Sequence, residues 1–269
     1  MNLKFHISFW IAAAAFCALG LGMTFLMLAA SITAHELAHI LTAKAFGCKI
    51  RHLAVSVLGE MTLVEHMDKI GPWKRAAIIA AGPACNLLLW CIIGGQFGFY
   101  NLVLAGFNML PVFPLDGARL FQLLAGNTIG AMRANRLIMH SGRVCCVVLI
   151  LMGIVQAALY APNFTMLAAG IFLWHRNRSQ LLNLTGEFYM AMLKKTAKLS
   201  KEPMPVKFLY TSQNQPIASI VDTMGWDNIL IVITPGGQIT EEEILNYVLK
   251  NSISANISEV QKSVCAPLH

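Results

Sequence analysis

MTFLMLAASITAHELAHILTAKA, residues 23–45, is the stretch whose reading decides the fold. It is long enough to cross about 30 Å of hydrocarbon, which takes ~20 apolar residues, yet it carries His35, Glu36 and His39 inside that apolar run. Ionisable groups in lipid are costly and need a shared reason to be there. In a helix His35 and His39 stand at i and i+4 on one face, where two imidazoles can converge on one metal ion. Glu36, about 100° further round, is placed beside that ion and can take a proton from a water.

The rest of the chain supports a membrane setting. It has 269 residues, 57% hydrophobic and 12% charged, against about 25% charged in an average soluble domain. Apolar runs at roughly 6–20, 23–45, 76–99, 101–125, 144–160 and 162–175 suggest about six transmembrane helices. The first run, with Lys4 before it and small residues at Ala12–Ala15 and Ala18, also fits a signal peptide, although a second apolar run follows almost at once.

Charge sets the orientation, because Lys and Arg near span ends stay in the cytoplasm. With the N-terminus inside, Lys44, Lys74, Arg75, Arg133, Arg143 and Arg176 fall on one side. The opposite turns, at Gly20–Gly22, Tyr100–Asn101 and Tyr160–Asn163, hold no Lys or Arg. Both termini are therefore expected in the cytoplasm of a multi-pass protein. The net charge of +7 also raises nucleic acid as a partner, but the basic residues cluster at span ends and in 176–201, where anionic lipid explains them better; no direct nucleic-acid contact is expected. The seven cysteines show no metal-ligand spacing and read as packing residues in a reducing compartment.

Zinc suits two neutral imidazoles, and a catalytic site takes three protein ligands with a fourth position left for water. Between Asp68 and Glu187 the single acidic residue is Asp116, in the segment FNMLPVFPLDGARL. Depth agrees with that choice: His35 and His39 lie 12 and 16 residues past Met23, and Asp116 lies 15 past Asn101, on two runs of the same direction. The bland alternatives are a hydrogen-bonded core histidine and an Asp-Gly turn outside the membrane. Pro111 and Pro114 break the helix ahead of Asp116, and Asn108 offers an amide to an extended backbone. Irregular backbone at this depth is tolerated where it is buried or lines a wet cavity.

HELAH at His35–His39, together with Asn108-x-x-Pro111-x-x-Pro114-Leu115-Asp116-Gly117, resembles the site-2 protease family of intramembrane zinc metalloproteases, peptidase family M50. The resemblance implies one zinc ion per chain on His35, His39 and Asp116, with Glu36 as general base and Asn108, Pro111 and Pro114 presenting substrate. Gly82-Pro83-x-x-Asn86 is similar to a GPxxN element of many members, and a helix-packing kink is the competing explanation. Gly59 stands where the family has a β-hairpin that pairs with extended substrate, although Gly59-Glu60 replaces the usual Gly-Gly.

The chain divides, on this reading, into a six-span membrane domain (1–176), a basic amphipathic linker helix (177–203) and a small α/β module (204–269). In the module, Val206–Tyr210 and Asn228–Thr234 read as strands, Pro216–Met224 as a helix, and Thr240 with Glu243 as a capping box. That order resembles a single cystathionine-β-synthase (CBS) motif, which implies possible ATP binding with Thr240 near the ribose, and pairing with another copy, hence a homo-oligomer. The combination is similar to the sporulation branch of the site-2 proteases. That likeness implies a bacterial forespore-surrounding membrane, a membrane-associated pro-sigma factor as substrate, and inhibitory or regulatory membrane proteins as partners. A site-2 protease with a different transmembrane substrate, and a CBS-regulated metal transporter or sensor, remain alternatives.

Overall fold

The computed structural model describes residues 4–5, 17–18, 20–50, 54–55, 64–65, 70–159, 164–199, 203–251 and 255–265. They form two compact units, one from Met1–Leu120 with Ser141–Arg176 and one from Phe121–His140 with Asn177–His269.

The first unit is helical. Helix α1, Gly22–Ala45, carries the histidines. It stops in a Schellman turn: Cys48 N–H donates to Ala43 O at 3.0 Å and Gly47 N–H to Lys44 O at 2.9 Å, with Gly47 at φ 80°. Helix α2, Pro72–Ile93, starts on a proline, whose missing N–H costs nothing at a first turn. It ends at Gly94 and Gly95, both at positive φ, and α3, Gly95–Asn108, follows directly. Helices α1, α2 and α3 pack on one another.

Two short pairings flank the hairpin region. Strand β1 (Lys4–Phe5) lies parallel to β3 (Ala54–Val55), and β2 (Lys49–Ile50) antiparallel to β4 (Val64–Glu65). Gly59 and Glu60 themselves lie outside the described residues.

The turn expected at Tyr100–Asn101 occurs instead at Gly94–Gly95, hidden from a hydropathy reading because apolar residues continue on both sides. Asn101 is buried within α3, its amide donating at 2.9 Å to both Ser31 Oγ and Phe97 O. The run 101–125 likewise divides: α3 ends at Asn108, residues 109–115 are irregular around Pro111 and Pro114, and α4 spans Asp116–Gly126.

Helix α5 is Ala131–Leu159 and α6 is Thr165–Leu199, continuous through residue 176, where the sequence reading ended the membrane domain. Among the described residues three helices, α1, α2 and α5, are long and apolar enough to cross a membrane, so six spans are not reached. The apolar run 6–20 lies almost wholly outside the described residues, and with it the signal-peptide reading.

The second unit contains a three-stranded sheet in the order β5 (Val206–Tyr210), β6 (Ile229–Thr234), β7 (Gly237–Thr240), β5 parallel and β7 antiparallel to β6. Helix α7 (Ile217–Val221) connects β5 to β6, and α8 (Glu241–Lys250) and α9 (Ile257–Cys265) complete the unit. The expected capping box is present: Thr240 accepts from Glu243 N–H while the Glu243 carboxylate accepts from Thr240 N–H at 2.7 Å. Its core joins Leu230, Val232, Ile239 and Ile244 to Phe188 and Met192 of α6.

Residues Phe121–His140 group with this unit rather than with the membrane residues to which the sequence reading assigned them. The reason is local hydrogen bonding. Asn127 Oδ1 accepts from the N–H groups of Trp226 and Asp227, both at 2.9 Å, and its Nδ2 donates to Asp227 Oδ2 at 2.9 Å. Ala131 N–H donates to Met224 O at 2.7 Å, and Arg136 pairs with Asp222. Deeper in the unit, the buried Lys195 ammonium bonds Glu241 Oε1 at 2.7 Å and Gly225 O at 2.8 Å, while Glu241 Oε2 accepts from Leu230 N–H. Burial pushes the Lys195 ammonium below the usual lysine range, against the opposing pull of the Glu241 carboxylate.

Candidate metal centre

Helical spacing sets His35 and His39 one turn apart on α1, with ring centroids 4.8 Å apart and planes near perpendicular at 81°. Asp116 opens α4, directly after the proline-broken segment, and its Oδ2 lies 3.0 Å from His35 Nε2 and 3.2 Å from His39 Nε2. The two Nε2 atoms are 3.2 Å apart. Three donors thus form a triangle whose edges approach the roughly 3.3 Å separation of ligand atoms around a tetrahedral zinc with ~2.0–2.1 Å bonds.

A metal-ligating imidazole needs a bare Nε2 lone pair, which requires its proton on Nδ1. His39 meets that condition: its Nδ1–H donates to the carbonyl oxygen of Ile78, 2.7 Å away on α2. Gly82, one turn further along α2, makes the close approach possible. A Cβ there would stand 2.6 Å from His35 Nε2 and closer still to His39 Nε2. Asn86, another turn on and fully buried, brings its amide within 3.2 Å of His35 Nδ1. The donor set and the groups behind it therefore fit zinc.

Glu36 lines the same cavity as the three donors, a space of about 400 Å³ walled by apolar residues including Ile32, Leu104, Phe107 and Phe172. Asn108 and Pro114 also line it. Asn108 spends one amide hydrogen on Leu104 O at 3.1 Å. Pro111 is not among the lining residues; its carbonyl oxygen lies 3.4 Å from Ser141 Oγ. Thr240 belongs to the second unit, where its hydroxyl serves the capping box.

Five positions escaped the sequence reading or were given another role there. Arg119 lines the cavity, and its place three residues after Asp116, on the same helical face, was the available signal. Gly82 and Asn86 carry the GPxxN element, read equally well as a packing kink. The Ile78 carbonyl leaves no trace in sequence. Gly117 has a steric role too, since a Cβ there would overlap the backbone of Met109 and come 2.7 Å from Leu110 O.

Residues 23–97, covering the HELAH helix and the whole of α2, match the profile of Peptidase family M50. Over this segment the chain is similar to peptidase family M50. The chain is 25% identical over 216 residues to a zinc metalloprotease of Methanocaldococcus jannaschii, an alignment covering 74% of the chain and 60% of the relative. It is 29% identical over 162 residues to stage IV sporulation protein FB of Bacillus subtilis, covering 55% and 56%. The chain thus spans less than two thirds of either relative. Among solved structures, the site-2 protease from Methanocaldococcus jannaschii resembles this chain in fold, with a TM-score of 0.51 and 22% identity, covering 66% of this chain and 89% of that one. The profile match ends before Asp116; the third donor is placed by the geometry of α4.

Proposed function

We propose that the chain is an intramembrane zinc metalloprotease. The observation that carries this reading is the convergence of His35, His39 and Asp116 at 3.0–3.2 Å with Glu36 in the same cavity. Zinc held by those donors supplies Lewis acidity toward a scissile carbonyl and makes a water nucleophilic near neutral pH. Glu36 accepts the proton of the attacking water at its carboxylate and returns it to the leaving amine. Asn108 and Arg119 are the remaining polar side chains lining the cavity, and they hold the substrate backbone. The apolar walls exclude bulk water and accept the side chains of a segment drawn from lipid.

The substrate is a membrane-associated protein whose helix must open before its peptide bond is exposed, and Gly59 in the hairpin region pairs with the extended strand. As the finer reading we propose the pro-segment of a sporulation sigma factor as that substrate, on the resemblance of the chain's motifs to the sporulation branch of the site-2 proteases. The C-terminal α/β unit acts as a CBS-like regulatory module, with ATP near Thr240 and a second copy of the chain as its partners. Both termini face the cytoplasm. The metal-carrier alternative is not favoured, because the matched family is a peptidase family.

Co-expression with the pro-sigma factor of the same genome, wild type against Glu36→Gln, tests the reading. The expected result is a shortened product with wild type and none with Glu36→Gln, which keeps its zinc. Cleavage at an undiminished rate by Glu36→Gln overturns the role of Glu36, and a wild type that cleaves no membrane protein overturns the protease.

A further inference from the structure

His35 and His39 face the same Asp116 oxygen, but the groups behind their rings differ in kind. Behind His39 stands a backbone carbonyl, which can only accept, so that ring is held with its proton on Nδ1. Behind His35 stands the side-chain amide of Asn86, which presents either a donor or an acceptor to Nδ1 at 3.2 Å.

The two presentations have opposite consequences. With Nδ2 toward the ring, the amide donates to Nδ1, the single proton of the neutral imidazole sits on Nε2, and that proton points at Asp116 Oδ2, 3.0 Å away. The lone pair a metal needs is then on the wrong nitrogen. With the amide turned by half a revolution, Oδ1 accepts the proton of Nδ1 and the Nε2 lone pair faces Asp116 and His39. Oδ1 is buried and among the described residues finds no hydrogen-bond partner in the first arrangement. The second gives it one.

We propose that Asn86 is a positioning residue that selects the metal-binding tautomer of His35 by accepting its Nδ1–H through the side-chain carbonyl oxygen. This rests on the zinc site proposed above. Gly82 keeps the intervening turn of α2 clear of both rings.

The test is zinc affinity of the purified full chain, measured against a chromophoric zinc chelator, for wild type, Asn86→Asp and Asn86→Leu. Aspartate can only accept, and leucine can do neither. Asn86→Asp is expected to hold zinc within a few-fold of wild type or more tightly, whereas Asn86→Leu is expected to lose 10–100-fold. The cobalt-substituted chain adds a spectroscopic readout, with the visible ligand-field bands unchanged in Asn86→Asp and shifted in Asn86→Leu. Equal losses in both variants, each with the helical circular dichroism of wild type, overturn the proposal, as does wild-type affinity in Asn86→Leu. Should Asn86→Leu fail to fold, the retention or loss of zinc by folded Asn86→Asp decides. A wild-type chain that binds no zinc removes the metal site itself, and this inference with it.

Discussion

The Nδ1–H of His39 donates to the carbonyl oxygen of Ile78 across 2.7 Å, which turns its Nε2 toward Asp116. The imidazole on one helix is thereby oriented by the backbone of the next. Substituting His39 itself, or His35 or Asp116, by alanine removes one of three donors, and each variant should retain well under one zinc per chain after dialysis against a mild chelator. Metal analysis of the dialysed protein checks this; a variant that keeps a full equivalent would exclude that residue from the donor set.

Removing the metal rather than the ligands should be reversible. A strong chelator is expected to abolish cleavage in detergent micelles and stoichiometric zinc to restore it, with helical content unchanged, because α1, α2 and α3 pack on one another without reference to the ion. Gel assays before and after zinc addition give the result.

Gly82→Ala and Gly106→Ala form a matched pair. The methyl at 82 falls on the imidazole nitrogens, 2.6 Å from His35 Nε2, whereas at 106 nothing lies within 4 Å. The first should lose zinc and activity by at least tenfold. The second should keep both and gain up to about 1 kcal/mol, the usual advantage of alanine over glycine inside a helix. Zinc content and thermal melts of the two proteins, run side by side, separate the effects.

Lys195→Met leaves the Glu241 carboxylate buried without its cation. Breaking such a pair costs about 3–5 kcal/mol, while replacing both partners with apolar residues costs far less. Lys195→Met should therefore lower the melting temperature of the second unit sharply and Lys195→Met with Glu241→Leu should recover part of the loss, as followed by limited proteolysis within residues 203–265.

Asn127→Ala strips an acceptor from two backbone N–H groups at once, those of Trp226 and Asp227, and should cost about 1–3 kcal/mol. Asn127→Asp keeps that acceptor but sets a second carboxylate against Asp227, so it should be no better. Denaturant titration of the second unit distinguishes both from wild type.

The cluster of three donors was legible in sequence because it rests on helical spacing and on the expense of charge in lipid: His35 with His39 from i and i+4, and Asp116 as the one acidic residue in a long apolar region. The strands Val206–Tyr210 and Ile229–Thr234 and the Thr240 capping box follow from equally local rules. What escaped depends on features that local composition does not announce. The strand Gly237–Thr240 has no strand-like composition and exists by pairing with β6. The Asn127 contacts join residues about a hundred positions apart. The turn at Gly94–Gly95 was lost because hydropathy averages over it, and the Ile78 carbonyl because every residue has one.

That glycine turn has a further consequence. Helix α3, which it starts, has only 14 residues, a length of ~21 Å at 1.5 Å per residue, short of the ~30 Å needed to traverse hydrocarbon. On the membrane reading proposed above, the chain would leave helical geometry at Asn108 and the prolines beyond it before crossing the hydrocarbon, where an irregular backbone needs protein or a wet cavity around it. Two residues with no side chain at all, Gly94 and Gly95, thus set where α3 begins, and with its length the distance from that turn to the proposed metal site.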